Sequence, residues 1–187
     1  MIFIEKNSYK SWSGLKKQLE SLLCDSLKDR ISYFYTTYRE VRKAYGRASI
    51  NYDKKELVSF SWDIGYQQWA DEYKFLNDNN IDASHFPNAE DMWQKQLEVQ
   101  RNLAKEKWMP NGTLCETDFI YSASAYVNTD IAEALRSENY LLRVLAYMDR
   151  RVGKRTLIKI RDEAEKMPEW AKRFYKIRLE AEGIELD

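Results

Sequence analysis

Three short segments between residues 30 and 62 constrain this chain more than anything else in it. Arg30-Ile31-Ser32-Tyr33-Phe34-Tyr35-Thr36-Thr37-Tyr38-Arg39 is aromatic and β-branched, the composition that suits a pleated, half-buried surface. Gly46 to Tyr52 alternates, Asp53-Lys54-Lys55 makes a polar turn, and Glu56 to Trp62 returns. Strands joined this closely pair as an antiparallel meander, because a parallel crossover needs a dozen or more residues. One face of the sheet is expected on helices and the other partly wet. Met1 to Glu5 reads as a short further edge strand.

On either side of the meander the period changes from two to that of a helix. Trp12, Leu15, Leu19, Leu22 and Leu23 fall on one stripe, which predicts an amphipathic helix over 11–27 capped by Ser11 or Ser13. After Asp63, Tyr66, Trp69, Tyr73 and Leu76 keep helical spacing until Asn77-Asp78-Asn79-Asn80 ends the run. Asn88, with Asp91 three residues on, opens a longer helix to about Trp108, which Pro110-Asn111-Gly112 stops. Thr117, Thr129 and Ser137 are the expected caps of the next three helices, the last running from Glu138 to about Arg151. Gly153 separates it from a helix over 156–166. Pro168 sits just inside the start of the final helix, and Gly183 ends it with Ile184 behind. The fold class is therefore α+β: an N-terminal helix, a small antiparallel β-meander, then a C-terminal multi-helix lobe. We expect one domain over residues 1–187, with 1–63 carrying the first helix and meander and 64–187 the helical lobe. A weak internal boundary falls near 77–88.

Several function classes fall away. No stretch approaches the roughly 20 apolar residues that a membrane helix needs. The first residues lack the charged lead and apolar run of a signal peptide, so a cytoplasmic setting is expected. Cys24 and Cys115 are too few and too far apart for a disulfide scaffold or a metal-ligand spacing. The single histidine, His85, lies in a loop-like stretch and reads as a solvated or cap-forming residue. Nucleophilic triads would have to use it. Of the carboxylates, Asp25 with Asp29 would share a helix face, and Asp63, Asp71 with Glu72, and Asp162 with Glu163 are other places to look. None forms a recognised motif, and there is no P-loop, G-x-G-x-x-G, G-x-S-x-G or H-E-x-x-H. Cys24, at the end of a leucine stripe, reads as a small core residue. No catalytic residue, metal site or cofactor is assigned.

The strongest local signal is charge. The chain as a whole is neutral, with 30 basic and 30 acidic residues. Yet Arg143 to Arg161 holds seven basic residues and one acid, Asp149, a net of +6. Arg150 and Arg151 are expected in the last turn of one helix, where cations suit the dipole. Lys154 and Arg155 open the next, where an anion would relieve the mismatch. Arg143 lies seven residues before Arg150, so the two would share a face. The candidate binding residues are therefore Arg143, Arg150, Arg151, Lys154 and Arg155. Their favoured reading is an internal ion-pair network, with Glu163, Glu165, Asp130, Glu133 and Glu138 as nearby acids. A nucleic-acid or phosphate surface and a dock for an acidic protein are the alternatives.

Aromatic residues are the second signal, at 14% of the chain with 13 Tyr and 6 Trp. Tyr33, Phe34, Tyr35 and Tyr38, flanked by Arg30, Arg39, Arg42 and Arg47, would make a base-stacking platform if exposed. The RNA-recognition signature is absent, and a sheet packed on helices is the preferred reading. Tyr and Trp are also favoured at protein interfaces.

Trp12-Ser13-Gly14-Leu15-Lys16-Lys17, Gly46-Arg47-Ala48, Glu56-Leu57-Val58-Ser59-Phe60, Asp149-Arg150-Arg151-Val152-Gly153-Lys154-Arg155 and Phe174-Tyr175-Lys176-Ile177-Arg178 together resemble a family of uncharacterised bacterial proteins of about this length. The resemblance covers nearly the whole chain, implies a bacterial cytosolic setting, and brings no activity or site residues with it. Ser137 to Ala146 is also similar to the first helix of a HEAT-type repeat. A single pair cannot bury a solenoid core, so an ordinary helical hairpin is expected. The sequence points to a non-catalytic protein-interaction module, with nucleic-acid or phosphate binding by the arginine cluster as the alternative. An enzyme built on carboxylates and arginines has only unspecific support.

Overall fold

The structure is a computed structural model and describes residues 11–37 and 46–185. The edge strand expected at Met1 to Glu5 and the end of the first strand at Tyr38 and Arg39 lie outside the described residues.

Helix α1 (Trp12–Leu22) starts where the Ser11 hydroxyl accepts the Gly14 N–H at 3.2 Å. It turns Leu15 and Leu19 into the core. It stops five residues before the end of the expected span 11–27. Leu23 leaves the helix to make an isolated antiparallel bridge with Asp149. Around it Cys24 N–H donates to Met148 O at 3.0 Å and Arg150 N–H to Leu22 O at 2.8 Å. Only a single 3₁₀ turn (Asp25–Leu27) follows, and Asp29 takes a left-handed φ of 64°. Asp25 and Asp29 therefore do not share a helix face.

The meander forms as the alternation requires. Strands β1 (Ile31–Thr37), β2 (Gly46–Tyr52) and β3 (Lys55–Ser61) are antiparallel in the order β1-β2-β3. Tyr33 pairs with Ile50, and Ala48 lies between Tyr35 and Phe60. Asp53 and Lys54 both have positive φ, 47° and 65°, as the tightest hairpin turns require. Neither is glycine, so the turn needs outside support. Arg30 supplies it. Its carbonyl accepts the Asp53 N–H at 2.8 Å, its guanidinium donates to both Asp53 oxygens at 3.0 and 2.7 Å, and it lies over the Tyr52 ring. That guanidinium holds the Asp53 carboxyl below its ordinary range.

Ile31, Tyr33, Ala48, Ile50 and Phe60 line the buried face of the sheet, while Phe34 points outward and is exposed. Among the described residues of the sheet a tyrosine platform is not formed: Tyr33 is buried and Tyr35 half-buried against Trp12, and Arg42 too lies outside them. The sheet packs on α1 and on α5 (Glu116–Tyr126). Phe119 of α5 is the point of contact. It stacks on Phe60 with ring centres 5.0 Å apart and touches Tyr33 and Trp12 at 6.4 and 6.2 Å.

Between sheet and α5 the chain makes an arm of α2 (Trp62–Asp78) and α3 (Ala89–Leu103), which are packed on each other. Asn88 caps α3 as expected, accepting the Asp91 N–H at 2.9 Å. A π-helical turn (Ala104–Trp108) and a last turn, α4 (Met109–Asn111), carry α3 on to Gly112, whose φ of 67° ends it. The remaining helices are α6 (Ile131–Arg136), α7 (Tyr140–Tyr147), α8 (Lys154–Lys159), α9 (Arg161–Glu165) and α10 (Glu169–Ala181). Three expected caps shift. Cys115 precedes α5, its N–H donating to the Asp118 carboxylate at 2.9 Å. Asp130 caps α6 and Asn139 caps α7, each accepting a free N–H. The hydroxyls of Thr129 and Ser137 are engaged beside them, with Ala125 O and Asn139 N–H. Pro168 is the residue before α10 rather than its first. At the far end Gly183 N–H donates to Glu180 O and Ile184 N–H to Leu179 O, the paired bonds of a Schellman ending.

A continuous apolar cluster runs from Leu15 and Leu19 through the sheet and α5 to Phe174 and Leu179. Phe119 fills its centre with no exposed surface. Phe119→Ala is expected to cost about 3–5 kcal/mol, read as a fall in the urea midpoint at unchanged slope.

Candidate functional site

The arginine cluster does not form one ridge. Helix α7 ends at Tyr147, so Arg150 and Arg151 lie in the turn after it, and the phase linking Arg143 to Arg150 is lost. Arg143 turns back onto the C-terminal end of α6. Its Nε donates to Ser137 O at 2.6 Å and its Nη2 to Arg136 O at 3.4 Å. There a cation neutralises free carbonyls.

Arg151 grips the acid two residues before it. Asp149 has a wholly buried carboxylate. It accepts from the Arg151 guanidinium at 2.8 and 3.1 Å, from the Arg151 N–H at 2.7 Å, and from the Tyr126 hydroxyl at 2.5 Å. Burial first, and the Asp149 bond second, push the Tyr126 hydroxyl well above its ordinary range. Lys154 reaches the end of α10, donating to Glu182 O at 2.7 Å with the Glu182 carboxylate 3.9 Å away. Arg150 and Arg155 are exposed and make no ion pair with a described residue. The cluster is thus brought together only in part, and Asp149 and Glu182 take the roles expected of Glu163, Glu165, Asp130, Glu133 and Glu138. Glu138 pairs with Lys105, Glu165 with Lys172, and Asp130 caps its own helix.

A further arginine completes the network. Arg178 of α10 is buried and donates to Met148 O at 3.3 Å and Val152 O at 2.9 Å, with Glu182 at 3.3 Å. Ser26 donates to the same Glu182 at 2.8 Å. The turn from Met148 to Gly153 is a junction between α1, α5, α7 and α10, and within it Asp149 and Arg151 are engaged with each other.

The open surface is elsewhere. Helix α2 is amphipathic in the reverse sense, because its buried residues are Gln68 and Glu72. Gln68 donates to Thr113 O at 2.9 Å and to Asp118 at 2.8 Å, and Glu72 accepts from Gln100 at 2.8 Å. Half-buried Asp71 takes the Trp108 indole N–H at 2.9 Å and Lys107 at 2.7 Å. The aromatic side of α2 faces solvent: Trp69 is 62% exposed, Tyr73 57% and Tyr66 50%. Trp69 and Tyr73 stack at 5.7 Å, and Trp62 meets Tyr66 edge to face at 4.0 Å. At the root of this row a cavity of about 410 Å³ opens between Trp62, Gly65, Tyr66 and Trp69 on α2 and Cys115 and Glu116 at the start of α5.

Two groups in that cavity have altered acidity. Burial, reinforced by the Asp118 charge, pushes the Cys115 thiol up to about 12, which leaves it no nucleophile near neutral pH. Burial also raises the Glu116 carboxyl, and the Asp118 and Asp63 charges act in the same direction. Glu116 packs on the start of β2 so tightly that a Cβ at Gly46 would fall 2.6 Å from its Cγ.

The other singled-out residues are structural in place. The His85 ring accepts the Asp82 N–H at 3.2 Å in an exposed 3₁₀ turn, and Cys24 is buried in the core. Among the described residues no group of three His, Cys, Asp or Glu stands together as a metal set. No helix there is long and apolar enough to cross a membrane. The aromatic row was visible in the sequence as Tyr66, Trp69 and Tyr73 at helical spacing. Its outward direction carried no signal of its own there, since Leu76 continues the row and the residues that turn inward, Gln68 and Glu72, are polar.

These features define an α+β protein in which a helical arm with an exposed aromatic face leans on a meander and a helical lobe. Residues 11–179 match the SF0329 protein family, a family of unknown function, and the chain belongs to it. No curated protein and no solved structure matches the chain.

Arg150→Ala and Arg155→Ala should each change stability by less than about 0.5 kcal/mol. Asp149→Ala, which strips Tyr126 and Arg151 of their partner, should cost about 3–5 kcal/mol by urea titration. Cys115 should mark the alkaline limb. Its folded-state pKa lies above the ordinary value of 9.0, so its contribution is intact below pH 9 and is lost as pH rises towards about 12. Across that window the wild type should lose more stability than Cys115→Ser, and parallel curves would refute the assignment.

Proposed function

We propose that this chain is a non-catalytic protein-interaction module, working in the bacterial cytosol, and that it meets its partner through the aromatic face of α2. The observation that carries this reading is the outward row of Tyr66, Trp69 and Tyr73. Large exposed aromatic patches are uncommon on free surfaces. Tyr and Trp are the residues on which interface energy concentrates. The charge of the region adds a direction. Residues 62–98 contain eight acids and two basic residues, a net of −6, so the fitting partner is basic.

The alternative is a nucleic-acid or phosphate-binding protein, and one observation favours it: Arg150 and Arg155 remain exposed without ion pairs among the described residues. Copurification at low salt separates the two readings. Wild type, Trp69→Ser/Tyr73→Ser and Arg150→Ala/Arg155→Ala are isolated in parallel, with absorbance at 260 and 280 nm and mass spectrometry of each. The expected result is a reproducible protein companion that survives the arginine pair of substitutions and is lost with the aromatic pair. Nucleic acid that leaves with salt, and is lost with the arginine pair, would overturn the module in favour of the alternative.

A further inference from the structure

The cavity at the root of the aromatic row has a composition that selects charge. Trp62, Tyr66 and Trp69 are among the residues that line it. Among the described residues no basic side chain lines it. Glu116 does, with its residue 4% exposed and its Oε2 accepting no hydrogen bond among the described residues. Buried polar atoms are nearly always satisfied, so an orphan of this kind calls for an explanation. A carboxyl oxygen so placed is matched only by a donor beyond the described residues, and burial raises the pKa of the group. Aromatic faces attract cations, most strongly where water is excluded.

We infer that the Tyr66–Trp69–Glu116 cavity receives a lysine or arginine side chain presented by the partner protein. This deepens the interaction reading and rests on it. A side chain on a protein segment fits better than a free amine for two reasons. The cavity is continuous with the exposed Trp69–Tyr73 stack, along which a segment can lie. The surrounding arm carries a net −6, which draws a basic segment rather than a single charge. The aliphatic stem of the side chain would pack against the rings while its terminal nitrogen donates to Glu116.

The full chain is titrated with short acetylated, amidated peptides of Gly and Ser around one central lysine or arginine. Neutral controls carry norleucine or citrulline at the same place. The indole N–H signals of Trp62 and Trp69 are followed by NMR, and affinity by calorimetry. Basic peptides should shift both indoles and bind at least about tenfold more tightly than their neutral counterparts. Glu116→Gln keeps the size of the side chain and should weaken them about tenfold or more. Tyr66→Leu, which keeps an apolar wall without a π face, should weaken them severalfold. Unchanged circular dichroism and Tm establish that both variants are folded. Neutral peptides binding equally well, Glu116→Gln binding like wild type, or no response at millimolar peptide would each overturn the inference. If the peptides fail while the copurified companion still depends on Trp69 and Tyr73, the cation assignment falls and the interaction face stands. If that dependence is also absent, the interaction reading falls with it.

Discussion

Asp149 is the constraint on which the lobe depends. A carboxylate with no exposed surface is costly unless donors surround it, and here three donor groups do. Tyr126 donates from α5, Arg151 from the turn itself, and the Arg151 backbone from the same turn. The backbone of that turn pairs with Leu22 to Cys24 after α1, and Arg178 of α10 collects its carbonyls. Elements far apart in sequence thus meet around one charge. Apolar packing alone is tolerant of small slides. A buried acid with directional donors fixes how α1, α5 and α10 sit against the end of α7.

This explains why the most basic stretch of the chain is not its most available surface. The local excess of +6 between residues 143 and 161 is real, but most of the candidate cations there have work within the fold. Arg143 closes α6, Arg151 holds Asp149, and Lys154 meets Glu182. Arg178, outside the stretch, matters more to the junction than Arg150 or Arg155 inside it. Charge counted along a sequence measures supply. Availability depends on which carboxylates and carbonyls the fold brings within reach.

What the sequence made legible follows the same division. Features set by local chemistry are readable: the alternation of β2 and β3, the polar turn at Asp53 and Lys54, the Ser11 and Asn88 caps, and the Gly183 ending. Features set by long-range contacts are not. The leucine stripe of α1 continues to Leu23, yet the helix stops at Leu22 because the chain there is needed for the Asp149 bridge. The stretch from Glu138 to Arg151 has no breaker, yet α7 ends at Tyr147 for the same reason. Thr129 and Ser137 are sound caps by type, and each loses to a stronger acceptor one or two residues on, Asp130 and Asn139. Glu116 carries no motif, and its burial is created by Gly46, seventy residues earlier.

The reversed polarity of α2 is where local and long-range demands meet. Helical spacing alone allows either side of this helix to face inward, since the aromatic and polar sides are both continuous. Area burial favours putting Trp69 and Tyr73 inside. The fold does the opposite because the polar side has specific partners: Thr113 O and Asp118 for Gln68, Gln100 for Glu72, and Trp108 and Lys107 for Asp71. Turning the helix over would leave the neighbouring groups, Asp118 and the Trp108 indole among them, buried without those bonds. The aromatic row is therefore held outward by hydrogen bonds made on its far side. A surface held outward in that way, against the area term, is the feature on which the proposed interaction rests.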